Sequence, residues 1–284
     1  MPEGHTIHRL ARRISKEFAG HVTRSSSPQG RFDVGAAAID GRVLEHADAW
    51  GKHVFVRFEG LADEVHVHLG LFGRTRFAHD DEREIRGALR WRLEDDRTYF
   101  DLRGATACAL MGPDEVGALV DRLGPDPLRE ESVPDQAWDR IRRSRAPIGG
   151  MLMDQKVVAG IGNVYRAEVL FRRGIDPFME GRLLHRAEWQ DMWDDLVVMM
   201  HEGVRTGRID CIDTASRPAS MERALALPEQ PPGRVWVYRR QGEPCFVCGT
   251  PVRTEEMAGR NLFWCPTCQR RTRRRVPRTT TRVT

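Results

Sequence analysis

Four cysteines near the C-terminal end constrain this chain most. Cys245 and Cys248 form one CxxC pair, "CFVC", and Cys265 and Cys268 form a second, "CPTC", after a spacer of 16 residues. A CxxC turn brings two thiolates to one side, so two such pairs supply the four ligands of one tetrahedral zinc ion. The spacer suits a β-hairpin, and Gly249, Gly259 and Pro266 suit its turns. Disulfides are the other chemistry open to these cysteines. They are rare in the cytosol, and the N-terminus has no apolar signal segment, because His8, Arg9, Arg12 and Arg13 separate Ile7, Leu10 and Ile14. Cys108 and Cys211 lie far from the cluster and read as ordinary thiols.

The chain has 284 residues, enough for two domains and a small appendage, and 40% of them are hydrophobic, enough for real cores. No apolar run reaches the length of a membrane span. The net charge of +4 is unevenly spread: residues 233–284 hold 12 Arg and 3 Glu, a net of +9, which leaves about −5 for the rest. A basic end of this kind fits an acidic partner, above all nucleic acid; a solvated tail is the plainer alternative.

The pattern along the chain predicts an α+β multidomain protein. Residues 3–18 read as an amphipathic helix, with Ile7, Leu10, Ala11, Ile14 and Phe18 on one face. From about 30 to 111 short alternating runs at 53–58, 64–70, 88–95 and 106–111 read as strands of an antiparallel β-sandwich. These make an N-terminal domain over 1–122. The Pro-rich and acidic stretch 123–135 reads as a linker. Helical periodicity dominates from about 136 to 206, with candidates in "DQAWDRIRRS", "GGMLMDQKVV", "NVYRAEVLFRRG" and "AEWQDMWDDLVVMMHEGV"; a looser stretch with Pro218, Pro228, Pro231 and Pro232 follows, and the two make a helical domain over 136–232. A zinc hairpin over 233–270 and a basic flexible tail over 271–284 complete the chain. Within the helical part, Gly160 and Gly162 stand just ahead of a helix starting near Asn163. Glycines there permit close approach, the free N–H groups suit a phosphate, and Asn163 can cap the helix or bind a phosphate itself. Plain turn glycines are the alternative.

Together these residues resemble the formamidopyrimidine-DNA glycosylase and endonuclease VIII family of bifunctional repair enzymes. The resemblance rests on "PEG" after Met1, "GK" at 51–52, "DQKVVAGIGNVYRAEVLF" at 154–171, "VYRRQGEPC" at 238–245 and the finger ending in "FWCPTCQ". The start and the "HLGLFG" loop look more like the endonuclease VIII branch, its actinobacterial members in particular. The resemblance implies a β-sandwich, a helix–two-turns–helix domain and a zinc finger, with DNA in the cleft between the larger domains.

It also implies site residues. Removal of Met1 would expose the Pro2 amine, whose pKa of about 8 leaves a usable unprotonated fraction at neutral pH. In the family this amine attacks C1′ of a damaged nucleotide, and the carboxylate of Glu3 serves the proton transfers. Lys52 is expected at a phosphate beside the lesion, assisting catalysis, and Asn163 and Arg260 are expected on the backbone around an extruded nucleotide. Leu71 and Phe72 offer a wedge for the vacated stack, or else a hairpin core. His66 and His68 share a strand face without an evident third metal ligand.

Four positions depart from the family pattern. His5 stands where many members have Pro, Thr6 where many have Glu, Gly70 where endonuclease VIII often has Gln, and Arg239 where "VYGR" has Gly. The expected activity is DNA glycosylase and AP lyase on oxidised bases, pyrimidines ahead of purines, through a Pro2 Schiff base and β,δ-elimination. A purine-directed enzyme and a non-catalytic zinc-finger DNA-binding protein on the same scaffold are the alternatives. One structural Zn2+, damaged DNA (duplex or single-stranded) as partner, a monomer, and a bacterial cytoplasmic, nucleoid-associated location complete the expectation.

Overall fold

A computed structural model describes residues 2–79, 85, 87–212 and 235–271. The prolines at 218, 228, 231 and 232, and the basic tail from 272 onward, lie outside the described residues.

The first helix, α1, spans Gly4–Phe18. Ile7, Leu10, Ala11, Ile14 and Phe18 recur at helical spacing and are all buried, so one stripe of the helix faces the core. Eight strands follow: β1 (Val22–Ser26), β2 (Arg42–Trp50), β3 (His53–Phe58), β4 (Glu64–His68), β5 (Arg74–Ala78), β6 (Leu89–Glu94), β7 (Tyr99–Arg103) and β8 (Ala107–Met111). They hydrogen-bond in the order β5-β7-β6-β1-β2-β3-β4-β8, and every ladder is antiparallel. The β1–β2 junction is the narrowest, with Val22↔Val43 and Thr23↔Arg42 as its pairs. Val54, Val56, Val65 and Val67 from one half share a core with Trp91, Leu93, Phe100 and Leu102 from the other, and α1 joins them. The expected strands are present, but 30–111 is not all sheet: Asp33–Ile39 forms a helix, α2, whose Ala36 and Ile39 fill the same core.

A helix α3 (Pro113–Val120) follows the last strand, and the helical domain contains α4 (Pro134–Ile141), α5 (Ile148–Met151), α6 (Asn163–Arg172) and α7 (Arg186–Thr206). α3 was not evident from periodicity, since none of its residues is buried. The helix expected from "GGMLMDQKVV" shrinks to the single turn of α5. The chain then runs through turns at 152–158 that place Gln155 in the wall of a cleft. The finger is the hairpin β9 (Arg253–Met257) and β10 (Arg260–Trp264), closed by Ala258 and Gly259 at φ 55° and 67°. Its Cys245, Val252, Phe263 and Cys265 belong to the same core cluster as Leu152, Tyr165 and Leu196. The described residues thus form two cores, because the finger is built onto the helical domain.

Residues 123–135 form no free spacer. Pro125, Asp126, Pro127 and Leu128 are buried. The segment is pinned on both sides, the Gly124 amide donating to the Gln155 carbonyl at 2.8 Å and the Trp50 indole to the Gly124 carbonyl at 3.4 Å.

Candidate active site

The head of α1 meets the head of α6, and a cleft opens beside them. Glu3 is fully buried. Its Oε1 accepts from the Val164 amide at 2.8 Å, and its Oε2 from the amides of Gly162 at 3.1 Å and Tyr165 at 3.3 Å. A carboxylate from one domain therefore satisfies the orphan donors that begin a helix of the other. Burial raises the Glu3 pKa above the ordinary carboxylate value, against the opposing pull of Lys52 and the three amides.

This contact and the approach of Gly4 give both glycines of the junction a packing role within the chain. A Cβ at Gly162 would lie 2.5 Å from Glu3 Cδ. Gly160 (φ +83°) receives the backbone of Gly4, whose amide donates to the Gly160 carbonyl at 2.8 Å. The Gly162, Val164 and Tyr165 amides thus donate to Glu3, and the Gly160 amide donates to Gln155 Oε1 at 3.1 Å. Asn163 does not cap α6: Gly162 is the N-cap, and Asn163 is the first helical residue. Asn163 Nδ2 donates to the Asn261 carbonyl at 2.9 Å and its Oδ1 accepts from Arg166, so the residue ties α6 to the finger hairpin.

The cleft holds about 350 Å³ and is lined by Pro2, Lys52, Leu71, Gln155 and Arg260, among others. It brings together residues separated by most of the sequence. Lys52 Nζ donates to the Ile161 carbonyl at 2.6 Å. Burial lowers its pKa, Glu3 opposes that, and Arg260 adds to it. Arg260 opens β10 at the finger turn, its Nη1 donating to the Gly259 carbonyl at 2.8 Å. Leu71 and Phe72 sit on the β4–β5 turn at 44% and 81% exposure, which excludes the hairpin-core alternative for both. Gly70, at φ +64°, lies so close to Thr106 that a Cβ would fall 1.9 Å from its hydroxyl. The glutamine frequent there in endonuclease VIII does not fit this packing.

The structure adds a histidine to the sequence reading. His53 on β3 stands opposite His68 on β4 and stacks on both His66 and His68, at centroid separations of 5.1 and 4.7 Å. His53 Nδ1 and His66 Nε2 lie 2.8 Å apart, and His68 Nδ1 donates to the Lys52 carbonyl at 2.9 Å. Burial, with the other histidines, lowers the pKa of His53 to about 3 and that of His66 to about 4. His5 faces away from the cleft, edge-on to the Tyr165 ring at 5.4 Å and against Gly203. Glu168, which sequence reasoning missed, is fully buried and accepts from the amides of Trp236, Val237 and Tyr238 at 2.6, 3.0 and 3.0 Å, holding the chain as it enters the finger. Its local signal is weak: Arg172 stands four residues on, the spacing of an ordinary helical ion pair, but Arg172 bonds Asp195 instead.

Among the described residues, the group with metal-ligand spacing is Cys245, Cys248, Cys265 and Cys268, whose sulfurs lie within 4.8 Å of one another. No disulfide joins any of the four; the Cys248 and Cys265 sulfurs lie 3.4 Å apart and those of Cys245 and Cys268 3.9 Å apart. Four thiolates around one Zn2+ stand about 3.8 Å apart at ordinary Zn–S lengths, so the cluster fits a structural zinc ion.

Three family models match in chain order: the formamidopyrimidine-DNA glycosylase N-terminal domain at 1–108, its H2TH domain at 123–214, and the zinc finger found in FPG and IleRS at 242–271. Endonuclease 8 1 of Mycobacterium tuberculosis is 50% identical over 274 residues, covering 95% of this chain and 100% of the relative. The chain belongs to the formamidopyrimidine-DNA glycosylase and endonuclease 8 family. Members of this family are DNA glycosylases of base excision repair with AP lyase activity. Formamidopyrimidine-DNA glycosylase of Thermus thermophilus is 31% identical, covering 95% of this chain and 98% of the relative. In fold the chain matches the Lactococcus lactis Fpg solved with DNA containing N7-benzyl-Fapy-dG, at TM-score 0.77 and 21% identity over 95% of this chain and 100% of that one. No helix among the described residues is long and apolar enough to cross a membrane.

Proposed function

We propose that this glycosylase removes oxidised bases, pyrimidines ahead of purines, with Pro2 as nucleophile and Glu3 serving the proton transfers. The observation that carries the reading is the placement of Pro2 in the cleft beside Lys52 and Arg260, one residue from the buried Glu3 carboxylate. Once Met1 is removed, the Pro2 nitrogen bonds to C1′ as the bond from C1′ to the base breaks, and the base leaves with a proton. Opening of the sugar gives an iminium. It acidifies the C2′ proton, whose loss expels the 3′ phosphate; a second elimination expels the 5′ phosphate. The product is a one-nucleotide gap with phosphorylated ends.

Lys52, Asn163 and Arg260 grip the backbone around the extruded nucleotide, exchanging the carbonyl partners they hold in the free protein for phosphate oxygens. Leu71 and Phe72 enter the vacated stack. The zinc ion holds the finger that presents Arg260. Pyrimidine preference rests on the greater likeness to endonuclease 8 1 than to the formamidopyrimidine-directed relatives. The protein acts as a monomer on damaged duplex or single-stranded DNA, at the nucleoid of a bacterial cytoplasm.

Borohydride should trap Met1-processed protein on DNA bearing an abasic site, and Pro2→Gly should lose most of the trapped product. No trapping by protein whose N-terminus is shown by mass spectrometry to be Pro2 would refute the lyase mechanism. A panel of lesion-bearing duplexes and single strands tests the pyrimidine preference.

A further inference from the structure

Asp126 lies in the Pro-rich segment that precedes the helical domain, and its side chain is entirely buried. Oδ2 accepts from the Gly51 amide at 2.7 Å and from His8 Nε2 at 2.7 Å; Oδ1 accepts from the Leu128 amide at 2.9 Å. The donors come from three places: the β2–β3 turn that carries Lys52, the helix α1 that carries Pro2 and Glu3 at its head, and the segment itself. Burying a carboxylate costs several kcal/mol before its partners repay it. A spacer has no need of one.

The turn it holds has no slack on its other side. Gly51 has φ +58°, and a Cβ there would meet Ala159 Cβ at 3.0 Å and the Gly160 nitrogen at 3.2 Å. Ala159 is in turn tied to the same segment, its amide donating to the Pro125 carbonyl at 3.0 Å. Arg129 stacks over Trp50 at 4.6 Å and donates to the Ala49 carbonyl at 2.7 Å. The backbone before Lys52 is therefore clamped between Asp126 and the Ala159–Gly160 loop. That loop also receives Gly4, so one clamp sets Lys52 against the head of α1.

We propose that Asp126 is a positioning residue for catalysis: through the Gly51 amide it fixes Lys52 in register with Pro2 and Glu3, and His8 locks the carboxylate to α1. The proposal rests on the reading that Lys52 works at the lesion. Misplacing a positioned group by about 1 Å can cost on the order of 100-fold in rate, whereas the clamp itself touches no substrate. Asn at position 126 keeps the shape but turns an amide N–H toward one of the three donors.

The test is a cycle on full-length, zinc-loaded, Met1-processed protein: Lys52→Gln, Asp126→Asn and the double variant, each read as the rate of borohydride trapping on an abasic-site duplex and as Kd for that duplex. Asp126→Asn should slow trapping about tenfold with Kd changed by less than about twofold, and should slow it by less than about twofold in the Lys52→Gln background, since residues acting as a unit are not additive. A full tenfold loss in the Lys52→Gln background, or trapping by Asp126→Asn at the parent rate, overturns the proposal. Parent-rate trapping by Lys52→Gln overturns the Lys52 reading itself, and the proposal with it. If Asp126→Asn does not fold, His8→Leu and His8→Gln carry the same cycle. Leu should slow trapping about threefold only when Lys52 is present, and Gln, which can donate to the same oxygen, should restore it. Failure of Gln to restore it, or an equal loss without Lys52, refutes the coupling.

Discussion

The carboxylate of Glu3 accepts the amide hydrogen of Val164 at 2.8 Å, joining the head of one domain's first helix to the head of another domain's helix. Two further amides share it. Glu3→Gln keeps an acceptor on one side only. Base excision should fall by about 100-fold or more, the usual scale for losing a positioned acid or base. Cleavage of a preformed abasic site should fall less. With its carbonyl toward Gly162 and Tyr165, the glutamine leaves the Val164 amide unpaired, which should also lower stability by about 1–3 kcal/mol, read by calorimetry. Equal losses on lesion and abasic substrates would show that Glu3 has no separate role in releasing the base.

Gly162→Ala probes the same joint from the other side. Gly162 has φ −122°, which any residue adopts, so the only obstacle is the Glu3 carboxyl group 2.5 Å from the new Cβ. Overpacking of this kind costs about 1–3 kcal/mol. The variant should melt lower and excise bases more slowly while keeping its zinc, as metal analysis would verify. Unchanged excision would mean that the Glu3 position tolerates displacement.

Removal of zinc should reach beyond the finger. Cys245 and Cys265 share a core with Leu152, Tyr165 and Leu196. Cys245→Ser, or chelation of the parent protein, should release one zinc ion, weaken DNA binding and lower the melting temperature of the helical domain. Unchanged zinc content in Cys245→Ser would refute the ligand assignment.

Arg239 carries a backbone cost. It adopts φ 57°, in the left-handed region, at the position where the family pattern has glycine. A side chain there costs about 1–2 kcal/mol relative to a residue without Cβ. Its guanidinium lies over the Tyr238 ring at 5.5 Å, which offsets part of this. Arg239→Gly should therefore raise stability by about 1 kcal/mol in denaturant titrations. A lower midpoint would mean that the ring contact outweighs the strain.

Acid should destabilise the protein through its buried histidines. His5 and His66 have pKa values lowered to about 4, and His53 to about 3, in each case chiefly by burial. Between those values and 6.5 the unfolded chain binds protons that the native state does not, so stability rises with pH across that window. The stabilisation is complete above pH 6.5 and is lost as pH falls toward 3. Each histidine adds at most about 1.4 kcal/mol per pH unit, less where solvent reaches it. The melting temperature should fall on acidification, and His53→Gln should flatten that fall. An unchanged slope in His53→Gln would place the titration elsewhere.

The local chemistry of this protein is written in short runs of sequence. The CxxC pairs, the stripe of Ile7, Leu10, Ile14 and Phe18, and the alternation in "HVFVRF" each specify structure through neighbours a few residues away. The start at Pro2 and Glu3 was legible only through resemblance, because as a local pattern it is a good first helical turn. The helix expected in "GGMLMDQKVV" failed for a related reason. Its apolar residues are buried by turns that serve the cleft, and periodicity does not distinguish a buried turn from a buried helix.

What only the tertiary structure decided are the partners of the polar residues. Gly160 and Gly162 read as plain turn glycines or as room for a phosphate; that Gly4 and Glu3 pack against them is visible only in the fold. Asp126 looks like one more acid in a Pro-rich linker until the Gly51 amide and His8 converge on it. Hydrophobic residues announce their burial by spacing along one element. A buried carboxylate is stabilised by donors that may lie 159 or 75 residues away, as Gly162 does from Glu3 and Gly51 from Asp126. Nothing in the local sequence encodes that distance, and folding alone brings the groups together.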